Sequence, residues 1–222
     1  MGGYAPDYGG GAAVTTRETC HALSARGHEV RVLTVERRAG AEAYSVHTDT
    51  DGPIVVERVN LPYFVETDPE GWQLGIARWR AHEQRLRLLF DGLIAAWRPD
   101  AVDYHTVRPF GEECLFSVAR HGVPMVATLH EAWLICARLM LLRSPTATAC
   151  DGPGPARCLE CIYSHYDGSH ALAAAKLPWR MARLGAYPAY RLRQRARARR
   201  HVRGAIARSE FMARVHLSLI HI

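Results

Sequence analysis

The sequence predicts an α/β domain: a parallel sheet with helices on both of its faces. Two observations carry this expectation. Apolar runs of strand length alternate with longer stretches of helical apolar spacing, and a glycine run, Gly9-Gly10-Gly11, stands directly before the first of those helices. Such alternation implies crossovers between parallel strands, which bury both faces of the sheet. With 222 residues, 48% of them hydrophobic and 23% charged, the chain can bury a real core and is neither disordered nor fibrous.

In order, Ala12 to Arg26 has apolar residues at helical spacing, Gly27-His28 is a tight turn, and Glu29 to Val35 alternates as a strand. Ile54 to Val59 is a second strand, and about Gly71 to Trp97 a long amphipathic helix. A strand at Ala101 to His105 follows Pro99-Asp100, then a short helix at Glu112 to His121, a turn at Gly122-Val123-Pro124 and a buried strand at Met125 to Leu129. From Ala132 to Gly168 the pattern breaks into Cys, Pro, Gly and Asp, which predicts an irregular excursion. Helical spacing returns from Ala171 to about Arg203, interrupted near Pro178 and Pro188, and Ala205-Ile206-Ala207 is a last short strand before Ser209. No internal repeat is present.

The ends are expected to depart from a whole domain. Only Met1 to Tyr8, with Gly2, Gly3 and Pro6 among them, precede Gly9, so the strand that should lead into the glycine loop is expected to be missing. Leu217 to Ile222 reads as a non-native tail, which leaves 1–216 as the domain.

Charge narrows the partners. Lys176 is the sole lysine, so the net charge of +6 is carried by arginine. Its densest run, Arg191, Arg193, Arg195, Arg197, Arg199, Arg200 and Arg203, reads first as a solvated helix face and next as a surface for anionic lipid. Nucleic acid is disfavoured, because no readout motif accompanies the run. No apolar stretch reaches the roughly 18 to 20 residues that cross a bilayer, and Met1 to Gly11 lacks the features of a signal peptide. The expected location is cytoplasmic or at the inner face of the membrane.

Six cysteines without a secretory signal argue against a disulfide framework. Cys20 and Cys114 fall in helices and are expected in the core. Cys136, Cys150, Cys158 and Cys161 cluster in the excursion and end in a Cys-x-x-Cys pair. Four thiolates can close a structural zinc site or hold an iron–sulfur cluster, and unligated thiols or a redox disulfide are the other readings. A metal-binding structural or interaction module built on these four is the alternative to an enzyme.

Four segments carry a family resemblance. Tyr4-Ala5-Pro6-Asp7-Tyr8-Gly9-Gly10-Gly11 is followed a helix later by Gly27-His28-Glu29-Val30; Pro99-Asp100 leads into Tyr104-His105; then come Val126-Ala127-Thr128-Leu129-His130-Glu131 and Ile206-Ala207-Arg208-Ser209. In this order they resemble the amino-terminal, Rossmann-like domain of family 4 glycosyltransferases of the GT-B fold, as far as about Ala213. The resemblance implies transfer of a hexosyl or related sugar from a nucleotide-sugar donor to a glycan, lipid or small-molecule hydroxyl, with retention and without a catalytic metal. It places Gly10 and Gly11 towards the donor diphosphate, His130 at the donor sugar, and His105 in the wall of the site. Glu131 stands where the family commonly has aspartate. Some members carry a similar cysteine cluster, and a second domain supplies the glutamates and basic residues that hold the nucleotide, so this chain alone is expected to be inactive.

The glycines and His130 also have a physical rationale of their own. Glycine lets backbone approach a ligand without a Cβ in the way, and the helix behind it offers free N–H groups to an anion. His130 ends an apolar run at what should be the carboxyl end of a strand, where open α/β sheets bind ligands.

Overall fold

A computed structural model describes residues 4, 10–62, 75–106, 110–136, 138–144, 146–152, 154–166 and 187–220. Helix α1 (Gly11–Ala25) leads into β1 (Arg31–Glu36), β2 (Val46–Asp51) and β3 (Ile54–Asn60). Then come α2 (Gly75–Trp97), β4 (Val102–Tyr104), α3 (Glu113–Arg120), β5 (Met125–Leu129), α4 (Pro155–Tyr166), α5 (Tyr187–Arg199), β6 (Gly204–Ala207) and α6 (Glu210–Ile220). The approach to the glycine loop at 5–9, where the first strand is expected to be missing, the start of the long helix at 71–74 and the helical stretch around Pro178 lie outside the described residues.

The strands form two three-stranded sheets, ordered β1-β3-β2 and β4-β5-β6. β1 runs parallel to β3, and β5 runs parallel to both β4 and β6. One core serves both sheets. Val35, Val59 and Leu61 from the first meet Tyr104, Met125, Ala127 and Leu129 from the second, together with Leu86, Phe90 and Ile94 of α2 and Leu115 of α3. The α2 residues recur every fourth position, so they make one stripe on the helix. Phe90 meets Phe110 edge to face, with ring centroids 5.0 Å apart.

Three features depart from the expected outline. β2 was not anticipated, and it pairs antiparallel to β3. Its sequence, Val-His-Thr-Asp-Thr-Asp, has too little apolar content to signal a strand, and Gly52, at φ 60°, makes the turn that folds it back on β3. Ala132 to Gly168 is expected to be an irregular excursion, yet Ala132, Trp133, Leu134 and Ile135 are all buried in the main core. It also closes with a 12-residue helix, α4, whose first residue is Pro155, a position where proline's missing N–H costs nothing. Finally, α6 follows Ser209, whose Oγ accepts the Met212 N–H at 3.2 Å as an N-cap, and the helix runs on through 217–220.

Cys20 and Cys114 are buried, as expected of core cysteines. On α5 and just beyond it, Arg193, Arg197, Arg200 and Arg203 are exposed, and the Arg197 guanidinium lies 5.3 Å from the centre of the Phe116 ring. Among the described residues, no helix is long and apolar enough to cross a membrane.

Candidate active site

Side chains alternate faces along a strand, so Asp103 and His105 share one face at the end of β4, while Thr128 and His130 share the same face at the end of β5. The parallel register places Asp103 beside Val126 and Tyr104 beside Ala127. Three side-chain pairs then bridge the two strand ends at a constant offset of 25 residues. Thr128 Oγ1 donates to Asp103, with both carboxylate oxygens at 2.9 Å; His105 Nδ1 lies 2.8 Å from His130 Nε2; and Thr106 Oγ1 donates to Glu131 Oε1 at 3.2 Å. Asp103 Oδ2 also stands 3.3 Å from His105 Nε2.

The third strand contributes at the same edge. β6 pairs with β5 so that Ala207 lies beside Leu129, which puts Arg208 next to His130 just beyond the strand ends. Arg208 is felt there: the His130 imidazole is pushed down to about 4, first by burial and then by His105 and Arg208, with Asp103 opposing. His130 is therefore neutral at physiological pH.

Helix α1 reaches this edge from the other sheet. Thr16 Oγ1 is 2.9 Å from His105 Nδ1, and Cys20, one turn later, feels the charge of Asp103, two residues earlier in β4. The helix thus runs antiparallel to β4, and its amino-terminal turn extends beyond the carboxyl ends of the strands. Gly10, at φ 154°, is in a conformation that L side chains avoid, and it caps the helix with no side-chain bond. The first turn carries no acidic residue, and a Cβ added at Gly10 or Gly11 would meet only open space. Gly10, Gly11, His105 and His130 accordingly fall on one side of the sheet, while Glu131, one residue beyond His130, turns to Thr106 on the other.

The four clustered cysteines are elsewhere. Cys136, Cys150, Cys158 and Cys161 all line one small cavity of about 30 Å³, to which neither histidine contributes. None of the four is in a disulfide, and three engage the backbone: Cys150 Sγ towards the Gly152 carbonyl at 3.4 Å, Cys158 Sγ accepting the Gly154 N–H at 3.4 Å, and Cys161 Sγ accepting the Ser144 N–H at 3.3 Å. Among the described residues, no three His, Cys, Asp or Glu side chains are grouped so that they could hold a metal ion. Sharing a cavity is therefore short of forming a ligand set among the described residues.

Asp103, Thr16, Thr106, Thr128 and Arg208 join the site without being expected from the sequence. Asp103 had a findable signal, since it lies two residues before His105 on a strand and must share its face. Arg208 follows the last residue of β6 as His130 follows that of β5. Thr16 had none, because it meets His105 only through the packing of α1.

A parallel sheet with a glycine-capped helix and a histidine pair at its carboxyl edge places these groups where open α/β domains bind their ligands. The sequence profile described as Glycosyltransferase Family 4 matches residues 9–222, and the chain belongs to that family. No curated protein and no solved structure matches it significantly.

Proposed function

We propose that this domain forms the sugar-facing wall of a cleft in which a hexosyl or related group passes from a nucleotide-sugar donor to a hydroxyl of a glycan, lipid or small molecule, with retention. The observation that carries the reading is the meeting of His105, His130 and Arg208 at the carboxyl ends of three adjacent parallel strands, beneath the open amino-terminal turn of α1. Open α/β sheets bind ligands at this edge, and a helix N-terminus capped without a side-chain bond favours the charge of a diphosphate.

Within that reading, the N–H groups of the first turn after Gly10 and Gly11 approach the donor diphosphate, while neutral His130 hydrogen-bonds the sugar. Transfer requires charge to develop on the departing diphosphate, so a preorganised polar wall that binds this charge lowers the barrier. Glu131, held by Thr106, lies next to His130 in sequence but projects from the opposite face of the strand line, and its part is to shape the segment.

The test is His130→Ala in the active glycosyltransferase that contains this domain. Turnover is expected to fall by about 10²- to 10³-fold, as on loss of one positioned hydrogen-bonding group, while donor binding falls much less. Near-normal turnover of folded enzyme would remove His130 from the site.

A further inference from the structure

His105 and His130 are joined edge to edge. Their rings lie 27° from coplanar with centroids 5.1 Å apart, and the facing nitrogens, 2.8 Å apart, lie nearly on the line between the centroids. One hydrogen occupies that gap, and the surroundings decide which ring carries it. Nε2 of His105 faces Asp103 Oδ2 at 3.3 Å, and a carboxylate only accepts, so this nitrogen carries a hydrogen. Asp103 stays ionised: burial raises its pKa, but the bonds from His105 and Thr128 lower it by more. Thr128 spends its single hydroxyl hydrogen on the same carboxylate and fixes its position.

With its hydrogen on Nε2, a neutral His105 presents a lone pair at Nδ1. Thr16 Oγ1, 2.9 Å from the same nitrogen, can only donate to it in this state, sharing its hydrogen with the Ala12 carbonyl at 2.8 Å, whereas a cationic His105 would donate to Thr16 instead. The hydrogen in the gap then belongs to Nε2 of His130. Neutral imidazole has one ring hydrogen, so Nδ1 of His130 is left as an acceptor, and no described residue engages it.

We propose that Asp103 is a positioning residue: acting through His105, it holds His130 in the Nε2–H tautomer, so that Nδ1 of His130 accepts a hydrogen bond from a hydroxyl of the donor sugar. Hydroxyl recognition by an acceptor fixed in this way is selective, because a sugar lacking that hydroxyl leaves the nitrogen unpaired. The identity of the hydroxyl's owner rests on the glycosyltransfer reading; the tautomer does not.

The chain itself provides the test. In a long-range ¹H–¹⁵N correlation spectrum of histidine-labelled protein at neutral pH, His130 is assigned by its loss in His130→Gln. Expected is a protonated Nε2 and an unprotonated Nδ1 for His130. Asp103→Leu, which removes the acceptor, should turn this into a mixture of tautomers, and Asp103→Asn, whose amide oxygen still accepts, should preserve it. A protonated Nδ1 on His130 in the unaltered protein, as a cationic His105 would impose, overturns the proposal, as does a spectrum that Asp103→Leu leaves unchanged. Should the leucine variant fail to fold, the unaltered protein still decides. Because the spectrum reads no activity, failure here is separate from failure of the His130→Ala turnover test.

Discussion

Thr16 Oγ1 lies 2.9 Å from His105 Nδ1, so the helix behind the glycine loop is tied directly to the histidine pair. The same hydroxyl also reaches the Ala12 carbonyl at 2.8 Å, one turn back along α1. The Thr15 hydroxyl makes the analogous bond to the Gly11 carbonyl and no other among the described contacts. Thr16→Val keeps the shape and removes the hydroxyl. It is expected to lower glycosyl transfer about two- to tenfold, the range of one neutral hydrogen bond, while Thr15→Val leaves transfer unchanged. Steady-state turnover of the two variants side by side is the check.

His130 makes stability sensitive to mild acid. Its folded pKa of about 4 lies below the ordinary value of about 6.5 for an unfolded chain, so between these values the unfolded state binds the extra proton. Stability therefore rises with pH across this window. The neutral ring costs nothing above about pH 6.5, and the penalty grows as pH falls towards about 4. Thermal unfolding at about pH 7 and about pH 5 should show a smaller loss of midpoint in His130→Gln than in the unaltered protein. Equal losses would show that His130 does not carry the effect.

The sequence made the parallel strands legible because Met125 to Leu129 and Ile54 to Val59 are apolar runs bounded by turn residues. It hid β2 because an edge strand facing solvent needs few apolar side chains, and its pairing comes from the Gly52 turn and the β3 backbone. It also misrepresented Ala132 to Ile135, whose apolar character was outweighed by the Cys, Pro and Gly that follow. At the site, the strand-end histidines could be found from chain order. Their hydrogen-bonded contact could not, since it joins residues 25 apart through the β4–β5 register and depends on α1 crossing from the other sheet.

Asp51 gathers the outer end of α1 onto the β2–β3 turn. It accepts two bonds from Arg17, at 2.7 and 2.8 Å, one from Tyr4 Oη at 3.1 Å, and lies 2.9 Å from His21 Nε2. The Arg17 bond, more than any other partner, holds its carboxyl well below the usual range. A depressed carboxylate stabilises the fold above its unfolded pKa of about 3.9 and loses that contribution as pH falls below it. Asp51→Asn should therefore cost about 1 to 2 kcal/mol at neutral pH, with Arg17 remaining partly solvated. The gap between variant and unaltered protein should narrow on acidification, and a constant gap would assign the loss to shape instead of charge.

The six cysteines should divide by reactivity. Cys20 and Cys114 are buried, and burial pushes their thiols up to about 11 and about 12, so neither the sulfur nor its reactive thiolate is available in the folded chain. Cys136, Cys150, Cys158 and Cys161 are half-buried around one cavity and remain reachable. Among these four, Cys158 has a raised pKa, chiefly from burial and partly from its three neighbours, while the Gly154 N–H opposes the rise. Timed labelling of the native protein with an aromatic disulfide, read residue by residue by mass spectrometry, should modify the cavity thiols first, with Cys158 the slowest of them. Cys20 and Cys114 should react only as the chain unfolds, and their early labelling would contradict the core described for α1 and α3. Because three of the cavity sulfurs engage backbone groups and no ligand set is formed among the described residues, one equivalent of zinc should leave most of this labelling in place. Simultaneous protection of all four would show instead that the side chains turn inward and close on an ion.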